Sequence, residues 1–214
     1  MALTSPICLL LTVWPSAVGN LVNPVGVLSL QGDFREHLEV FTRLGIPAIA
    51  VKRRSELDQV SGLVLPGGES TTIGKLARIF DLFSPIQEAI SGGLPIFGTC
   101  AGLIMLADNI TDGIVGQETF GGLDVTVQRN AFGNQLDSFE VDLEFEGVSG
   151  EVHAAFIRAP LITSVGDKAK IVSKLSDGRI VGVQQANRLG ISFHPEVTNE
   201  DRIHSYFYEQ LIRS

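Results

Sequence analysis

Cysteine is scarce in this sequence of 214 residues: there are two, Cys8 and Cys100. Two thiols so far apart are no disulfide framework, and a reducing cytoplasm is the compartment they point to. Basic charge is also scarce, with 16 Lys and Arg against 24 Asp and Glu and a net charge of −8. The basic residues do not cluster, which argues against nucleic acid or an anionic membrane as the main partner. Small anionic ligands held by one or two arginines stay open. Long apolar runs are missing as well. The run Ile7–Val13 falls far short of the roughly 20 residues that span a bilayer, and no Lys or Arg precedes it as in a signal peptide. Residues 1–23 are therefore expected to be a poorly ordered extension, with a weak amphipathic anchor as the alternative. No repeat, low-complexity tract or linker follows, so residues 24–214 are expected to form a single domain. Metal-ligand spacing is absent too: Cys100 has no Cys or His near it, and His37, His153 and His204 form no pattern. Neither a metal nor an organic cofactor is expected.

What is present is globular: 44% hydrophobic and 19% charged residues. Pro24–Leu30 is a continuous β-type run of the kind buried in parallel sheets. Asp33 is placed to cap a helix over Phe34–Leu44, whose Phe34, Leu38, Phe41 and Leu44 form one apolar stripe. Gly45 closes it. His37 lies on this helix and reads as a surface or structural residue. Strands over Ile46–Val51 and Gly62–Leu65 follow, then helices over Ile73–Phe83 and Ile86–Ile90, broken near Ser84-Pro85. Alternating strands and helices argue for a parallel α/β sheet, whose ligands bind beyond the carboxyl ends of the strands. After Asp108 the texture changes to short strands with turn signals, among them Asp177-Gly178, before a final amphipathic helix over Asn199–Ile212.

The stretch Leu94–Ala107 organises the chain. It runs from an apolar strand through a tight turn into an apolar helix, with Cys100 at the bend and Gly98 and Gly102 two residues to either side. This is the spacing of a nucleophile elbow with sulfur in place of oxygen. A thiol at a helix N-terminus meets unpaired N–H groups that favour its anion. A buried, inert structural cysteine fits the same stretch.

Two further stretches bear on that choice. Phe193-His194-Pro195-Glu196 can set His194 as a base for Cys100, with Glu196 orienting the imidazole in an extended geometry. In isolation the same residues make a surface His-Pro turn. Pro66-Gly67-Gly68-Glu69-Ser70-Thr71-Thr72 ends a strand with backbone that can approach a ligand closely, and Ser70 or Thr71 can cap the next helix. It lacks the spacing of a phosphate-binding P-loop. The N–H of Ala101 and one from the Gly67-Gly68 turn, that of Gly68, are the candidate oxyanion donors.

The cysteine elbow and the C-terminal His-Pro-Glu resemble the class I, triad-type glutamine amidotransferases. Narrower blocks resemble one branch of that class, the glutaminase subunits of pyridoxal 5′-phosphate synthase. They are Gly26–Gly32, Leu65–Thr72, Phe97–Leu103, Gln128–Gln135, Asp137–Glu140, Phe156–Pro160 and Ser192–Glu196. The resemblance implies a three-layer αβα sandwich, flavodoxin-like, with a mostly parallel central sheet and antiparallel strands in the second half. It implies Cys100, His194 and Glu196 as the triad, and Gly68, Glu69, Ser70, Arg129, Ile157 and Arg158 as contacts to L-glutamine. An arginine suits the substrate carboxylate, and Glu69 or backbone carbonyls suit its ammonium. Gln31 is implied at the oxyanion loop or the partner contact. The partner that the resemblance implies is a synthase (lyase) subunit in a large hetero-oligomer, which would build the product from ribose 5-phosphate and glyceraldehyde 3-phosphate. A glutaminase feeding another synthase, of the anthranilate or imidazole glycerol phosphate type, and a catalytically silent subunit are the alternatives.

Overall fold

The computed structural model describes residues 23–114, 116–129 and 138–214. Expectations for residues 1–22, including Cys8, and for Asn130–Gln135 and Asp137 lie outside these.

Most of the described strands join one sheet. Its first half is the parallel α/β unit that the alternation predicts. β1 (Val25–Leu28) lies between β2 (Ala48–Val51) and β3 (Gly62–Leu65), and β3 pairs with β4 (Ile96–Thr99), all in parallel. β1, β3 and β4 are buried at every position, which is why their sequences are unbroken apolar runs without alternation. The second half supplies β5 (Ala107–Thr111), β6 (Leu123–Gln128), β9 (Leu161–Val165), β10 (Lys170–Lys174), β11 (Ile180–Gln185) and β12 (Arg188–Ile191). The order across the sheet is β2-β1-β3-β4-β12-β11-β9-β6-β5, with β10 beside β11. β12 returns parallel to β4, and β5 runs parallel to β6; the pairings around β9 and β11 are otherwise antiparallel. β7 (Phe139–Glu144) and β8 (Glu151–Phe156) form a separate antiparallel ribbon.

The two faces of the sheet carry two cores. On one, Leu28, Leu63, Leu65 and Ile96 pack with Ile73 and Ala77 of α3 (Ser70–Ile79), Ile86 of α4 (Phe83–Ser91) and Leu103 of α5 (Ala101–Leu106). On the other, Val25, Val27, Val64, Phe97 and Ile191 pack with Phe41 of α1 (Phe34–Arg43), Ile203 of α6 (Arg202–Tyr206) and the inner side of the β7–β8 ribbon. Strand residues thus alternate between two apolar layers, giving the expected helix–sheet–helix architecture.

Several local expectations shift. The break between α3 and α4 falls at Asp81, which has φ 54°. Ser84-Pro85 sits instead in the first turn of α4, where a missing proline N–H costs nothing. A single turn, α2 (Arg54–Leu57), occupies the polar segment after β2. β5 and β9 are strands that the sequence did not signal: β5 is mostly polar and exposed and so shows no apolar alternation. The hairpin at Asp177-Gly178 forms, with Gly178 at φ 89°. The final helix passes from α6 into a π-helical segment, Phe207–Ile212.

Candidate active site

Cys100 stands between the last residue of β4 and the first of α5, at φ 48° and ψ −104°. Such a backbone is costly for a residue with a Cβ, and it persists only where the surroundings over-determine it. Here they do. A Cβ on Gly102 would lie 2.0 Å from the Leu65 carbonyl oxygen, and one on Gly98 would lie 2.6 Å from Gly102. The Cys100 N–H donates to the Ile191 carbonyl at 2.9 Å. The two glycines let strand, bend and helix close on one another, which is what the elbow spacing predicts.

β12 brings the second group. It pairs with β4 in register, Ile191 beside Thr99, so the two chains leave the sheet side by side. Cys100 comes one residue after that pair and His194 three residues after it. His194 faces Cys100 across one cavity and feels its field, and its Nδ1 lies 2.7 Å from Glu196 Oε1. Pro195–Val197 is a 3₁₀ turn. The expected extended geometry is therefore replaced by a tight turn, which folds Glu196 back under the imidazole. Gly67 is the floor of the ring: a Cβ there would lie 2.3 Å from His194 Cε1. Burial opposes charge on His194, but the pull of Cys100 and of Glu196 outweighs it and holds the imidazole well above its ordinary range. Burial likewise opposes charge on Glu196, yet His37 and the bond to His194 bring its carboxyl down to about 2.

A cavity of about 410 Å³ opens over Cys100 and His194. Of the residues expected from the sequence, Gln31, Gly68, Glu69, Ser70, Arg129, Ile157 and Arg158 line it. Glu196 lies behind His194, and Ala101 is the first residue of α5, so its N–H belongs to the unpaired end of that helix. The Glu69 N–H donates to Gln31 Oε1 at 2.8 Å, tying the Gly68-Glu69 turn to the loop after β1.

Two expected roles are corrected. Neither Ser70 nor Thr71 caps α3; Glu69 does, accepting from the Thr72 N–H at 2.8 Å and from the hydroxyls of Thr71 and Thr72. Burial raises its carboxyl, but these bonds overcome it and set it below its ordinary range. Its other oxygen accepts from Arg129 at 2.8 Å. Asp33 begins α1 without a side-chain cap bond; its carboxylate instead lines the cavity, 3.8 Å from His194 Nδ1.

Gln117 was not signalled. It donates to Ser70 Oγ at 3.0 Å and accepts from Arg129 at 2.7 Å, which fixes both against the cavity wall. Nothing in its local sequence marks it, because the link spans 47 residues to Ser70. Arg158 has φ 46° and is exposed, and among the described residues it has no ion-pair partner. The Ile157 carbonyl lies 4.0 Å from Cys100 Sγ.

Asp33, His194 and Glu196 bring ligand-type atoms within 4.8 Å of one another. The cluster is a poor metal site. His194 Nδ1 and Glu196 Oε1 are bonded to each other, and a charged imidazole has no lone pair to give.

His37 is no surface residue. It is fully buried on α1, hydrogen-bonded through Nδ1 to His204 Nε2 at 2.7 Å and through Nε2 to Thr99 Oγ1 at 3.2 Å. Burial lowers both imidazoles, His204 strongly. Below about pH 6.5 the unfolded chain therefore binds protons that the folded one refuses. The contribution of this pair to stability is expected to be full above that pH and to fall as pH drops, with a slope approaching about 1.4 kcal/mol per pH unit for each imidazole. Denaturant unfolding between pH 7 and 5 checks this; a flat profile would show that the pair takes up protons in the native state.

A cysteine at a strand–helix elbow, a buried His-Glu pair and glycine-rich turns on a mostly parallel sheet define a class I, triad-type glutamine amidotransferase. The chain belongs to the SNO glutamine amidotransferase family, whose model matches residues 27–213. It is 57% identical over 184 residues to the pyridoxal 5′-phosphate synthase subunit PdxT of Leifsonia xyli subsp. xyli, covering 86% of this chain and 93% of that one. It is 54% identical to the PdxT subunit of Nocardioides sp., over 86% and 94% of the two chains. A crystal structure of a glutamine amidotransferase superposes with a TM-score of 0.81 at 48% identity, over 86% of this chain and 97% of that one. Among the described residues no helix is long and apolar enough to cross a membrane.

Proposed function

We propose that this chain hydrolyses the side-chain amide of L-glutamine and hands the ammonia to a pyridoxal 5′-phosphate synthase subunit, working in the cytoplasm as one glutaminase domain over residues 24–214. The observation that carries the reading is the strained Cys100 elbow, sharing one cavity with a His194 that Glu196 holds at 2.7 Å.

The Cys100 sulfur attacks the amide carbon, and the carbonyl oxygen becomes an oxyanion facing the N–H groups of Ala101 and Gly68. His194 gives its proton to the departing nitrogen, which leaves as ammonia, and a γ-glutamyl thioester remains. Water enters, His194 takes one of its protons, and the resulting hydroxide displaces the sulfur to give glutamate. Glu196 stabilises the imidazolium throughout. Arg158 supplies a cation for the substrate carboxylate, and Arg129 a second one, already oriented by Gln117 and Glu69. Glu69 gives the ammonium a negative field more than a free acceptor, since both its oxygens are engaged. Ser70 and the backbone at Ile157 complete the contacts. Gln31, bound to the Glu69 N–H, sets the turn that carries Gly68, and partner docking acts on that turn.

The test is release of ammonia and glutamate in equal amounts from L-glutamine, by the chain alone and with its synthase subunit. Release is expected to be weak alone and to rise with the partner. No release from the complete complex would overturn the reading.

A further inference from the structure

Behind the triad, the buried polar chain continues. His37 Nε2 stands 3.5 Å from Glu196 Oε1, the same oxygen that faces His194 Nδ1. His37 Nδ1 meets His204 Nε2 at 2.7 Å. His204 is enclosed by the edges of Phe41 and Phe97, with ring centroids 5.3 and 5.4 Å away. Its own Nδ1 is buried without a hydrogen-bond partner among the described residues. α1, β4, α6 and the turn after β12 each contribute one member, so sequence spacing gives no hint of the cluster.

The proton positions follow from elimination. A neutral imidazole has one N–H and one lone pair. If His37 carried its proton on Nδ1, a lone pair on Nε2 would face a carboxylate, which is repulsive. His204 would then have to carry its proton on Nδ1, as an N–H with nothing to receive it. With the proton on Nε2 of both rings, His204 donates to His37 Nδ1, and His37 donates its Nε2–H to Thr99 Oγ1 with Glu196 Oε1 3.5 Å from the same nitrogen. Only this arrangement uses every close contact favourably. Burial keeps both rings neutral at pH 7, where His37 faces Glu196 as a fixed dipole; the charge attraction that lowers the Glu196 carboxyl belongs to His37 protonated at acid pH. The other titratable or charged groups whose fields reach these rings are Asp33, Glu36, His194 and Arg43; none lies between His37 and Glu196.

We propose that His37 is a positioning residue for the glutaminase triad: His204 locks it as the Nε2–H tautomer, and that N–H holds the Glu196 carboxylate ionised and aimed at His194. The proposal rests on the triad reading above. It adds two groups behind Glu196, and their effect is transmitted through Glu196 without contact with substrate.

The first measurement needs no glutamine. In the chain with ¹⁵N-labelled histidine, ring nitrogen shifts at pH 7 are expected to show His37 and His204 neutral and protonated at Nε2. The four histidines are assigned by single substitution. In His204→Phe the His37 signals should shift toward a mixture of tautomers. An Nδ1-protonated or charged His37 in the wild type would overturn the proposal even if glutamine is hydrolysed. The second measurement is ammonia release in the complex with the synthase subunit. His37→Leu and His204→Phe are expected to lower kcat about tenfold with KM nearly unchanged, and to move the acid limb of the pH profile upward, because Glu196 loses the donor that favours its charge. His37→Gln keeps an N–H near the Nε2 position and should restore most of the rate and the profile. Equal loss in His37→Gln and His37→Leu at matched melting temperatures would reduce His37 to packing and overturn the proposal. If His37→Leu does not fold, His204→Phe and His37→Gln carry the same comparison. Absent ammonia release in the wild-type complex would sink the glutaminase reading instead, and the tautomer result would stand by itself.

Discussion

Cys100→Ala is expected to abolish glutamine hydrolysis in the complex, with kcat falling about 10⁶-fold, the scale seen when a nucleophile is removed from a triad that works as a unit. Under the proposed mechanism the sulfur forms the acyl intermediate, and Cys100 is the one thiol among the described residues that line the cavity. The loss should be chemical and not structural. Position 100 is buried and small, alanine has a Cβ as cysteine does, and the strained φ of 48° is therefore no worse after the change. The Cys100 N–H bond to Ile191 is a backbone bond and survives. The checks are ammonia release with L-glutamine at saturation and the melting temperature of the variant. Turnover within about tenfold of wild type would exclude Cys100 as nucleophile. A second expectation separates glutaminase from synthase: the complex carrying Cys100→Ala should still make product when ammonia is supplied directly, because only the source of nitrogen has been removed.

The elbow was legible because its chemistry is local. Gly98, Cys100 and Gly102 lie within five residues, and the contacts that demand glycine, to Leu65 and between the two glycines, follow from a strand turning straight into a helix. His194 and Glu196 were legible as a pair for the same reason, though their 3₁₀ geometry was not: proline at 195 fixes one φ and leaves the following turn to tertiary contacts. What stayed hidden is non-local. Gln117 reaches Ser70 and Arg129 from a segment with no motif. His37 sits on a helix whose apolar stripe is real, and its burial is decided by His204, 167 residues away. Asp33 looked like a helix cap because aspartate before a helix usually is one. Here the ring of His194 lies close by, and the carboxylate lines the cavity instead, its carboxyl raised by burial against the pull of His194. The edge strand β5 was missed because a mostly exposed strand needs no apolar alternation.

Glu196→Gln separates the two things a triad acid does. It fixes the imidazole tautomer and it supplies negative charge. An amide usually fails at both, since its NH₂ can turn toward the imidazole, force the proton to the other nitrogen and cost about 10⁴ in rate. In this site the amide is not free to choose. Oε1 is 2.7 Å from His194 Nδ1 and 3.5 Å from His37 Nε2, and with the positive end of an N–H dipole near it on each side that position favours an oxygen over an NH₂. Glu196 Oε2 is buried with no hydrogen-bond partner among the described residues, so the NH₂ is left there unpaired, at a cost of about 1–3 kcal/mol in stability. The tautomer of His194 is then kept, and what is lost is the charge that supports the imidazolium. The expected fall in kcat is about 10²–10³-fold, with KM for glutamine little changed because Glu196 lies behind His194 and touches no substrate. Combining Glu196→Gln with His37→Leu removes the donor that orients the amide, so the double variant should fall to the full loss of about 10⁴-fold of a wrong tautomer, about 10–100-fold below Glu196→Gln alone. Steady-state kinetics of both variants at pH 7, with matched melting temperatures, decide it. A single variant already at the lower limit, or a double variant no worse than the single, would mean that His37 does not orient the group at position 196.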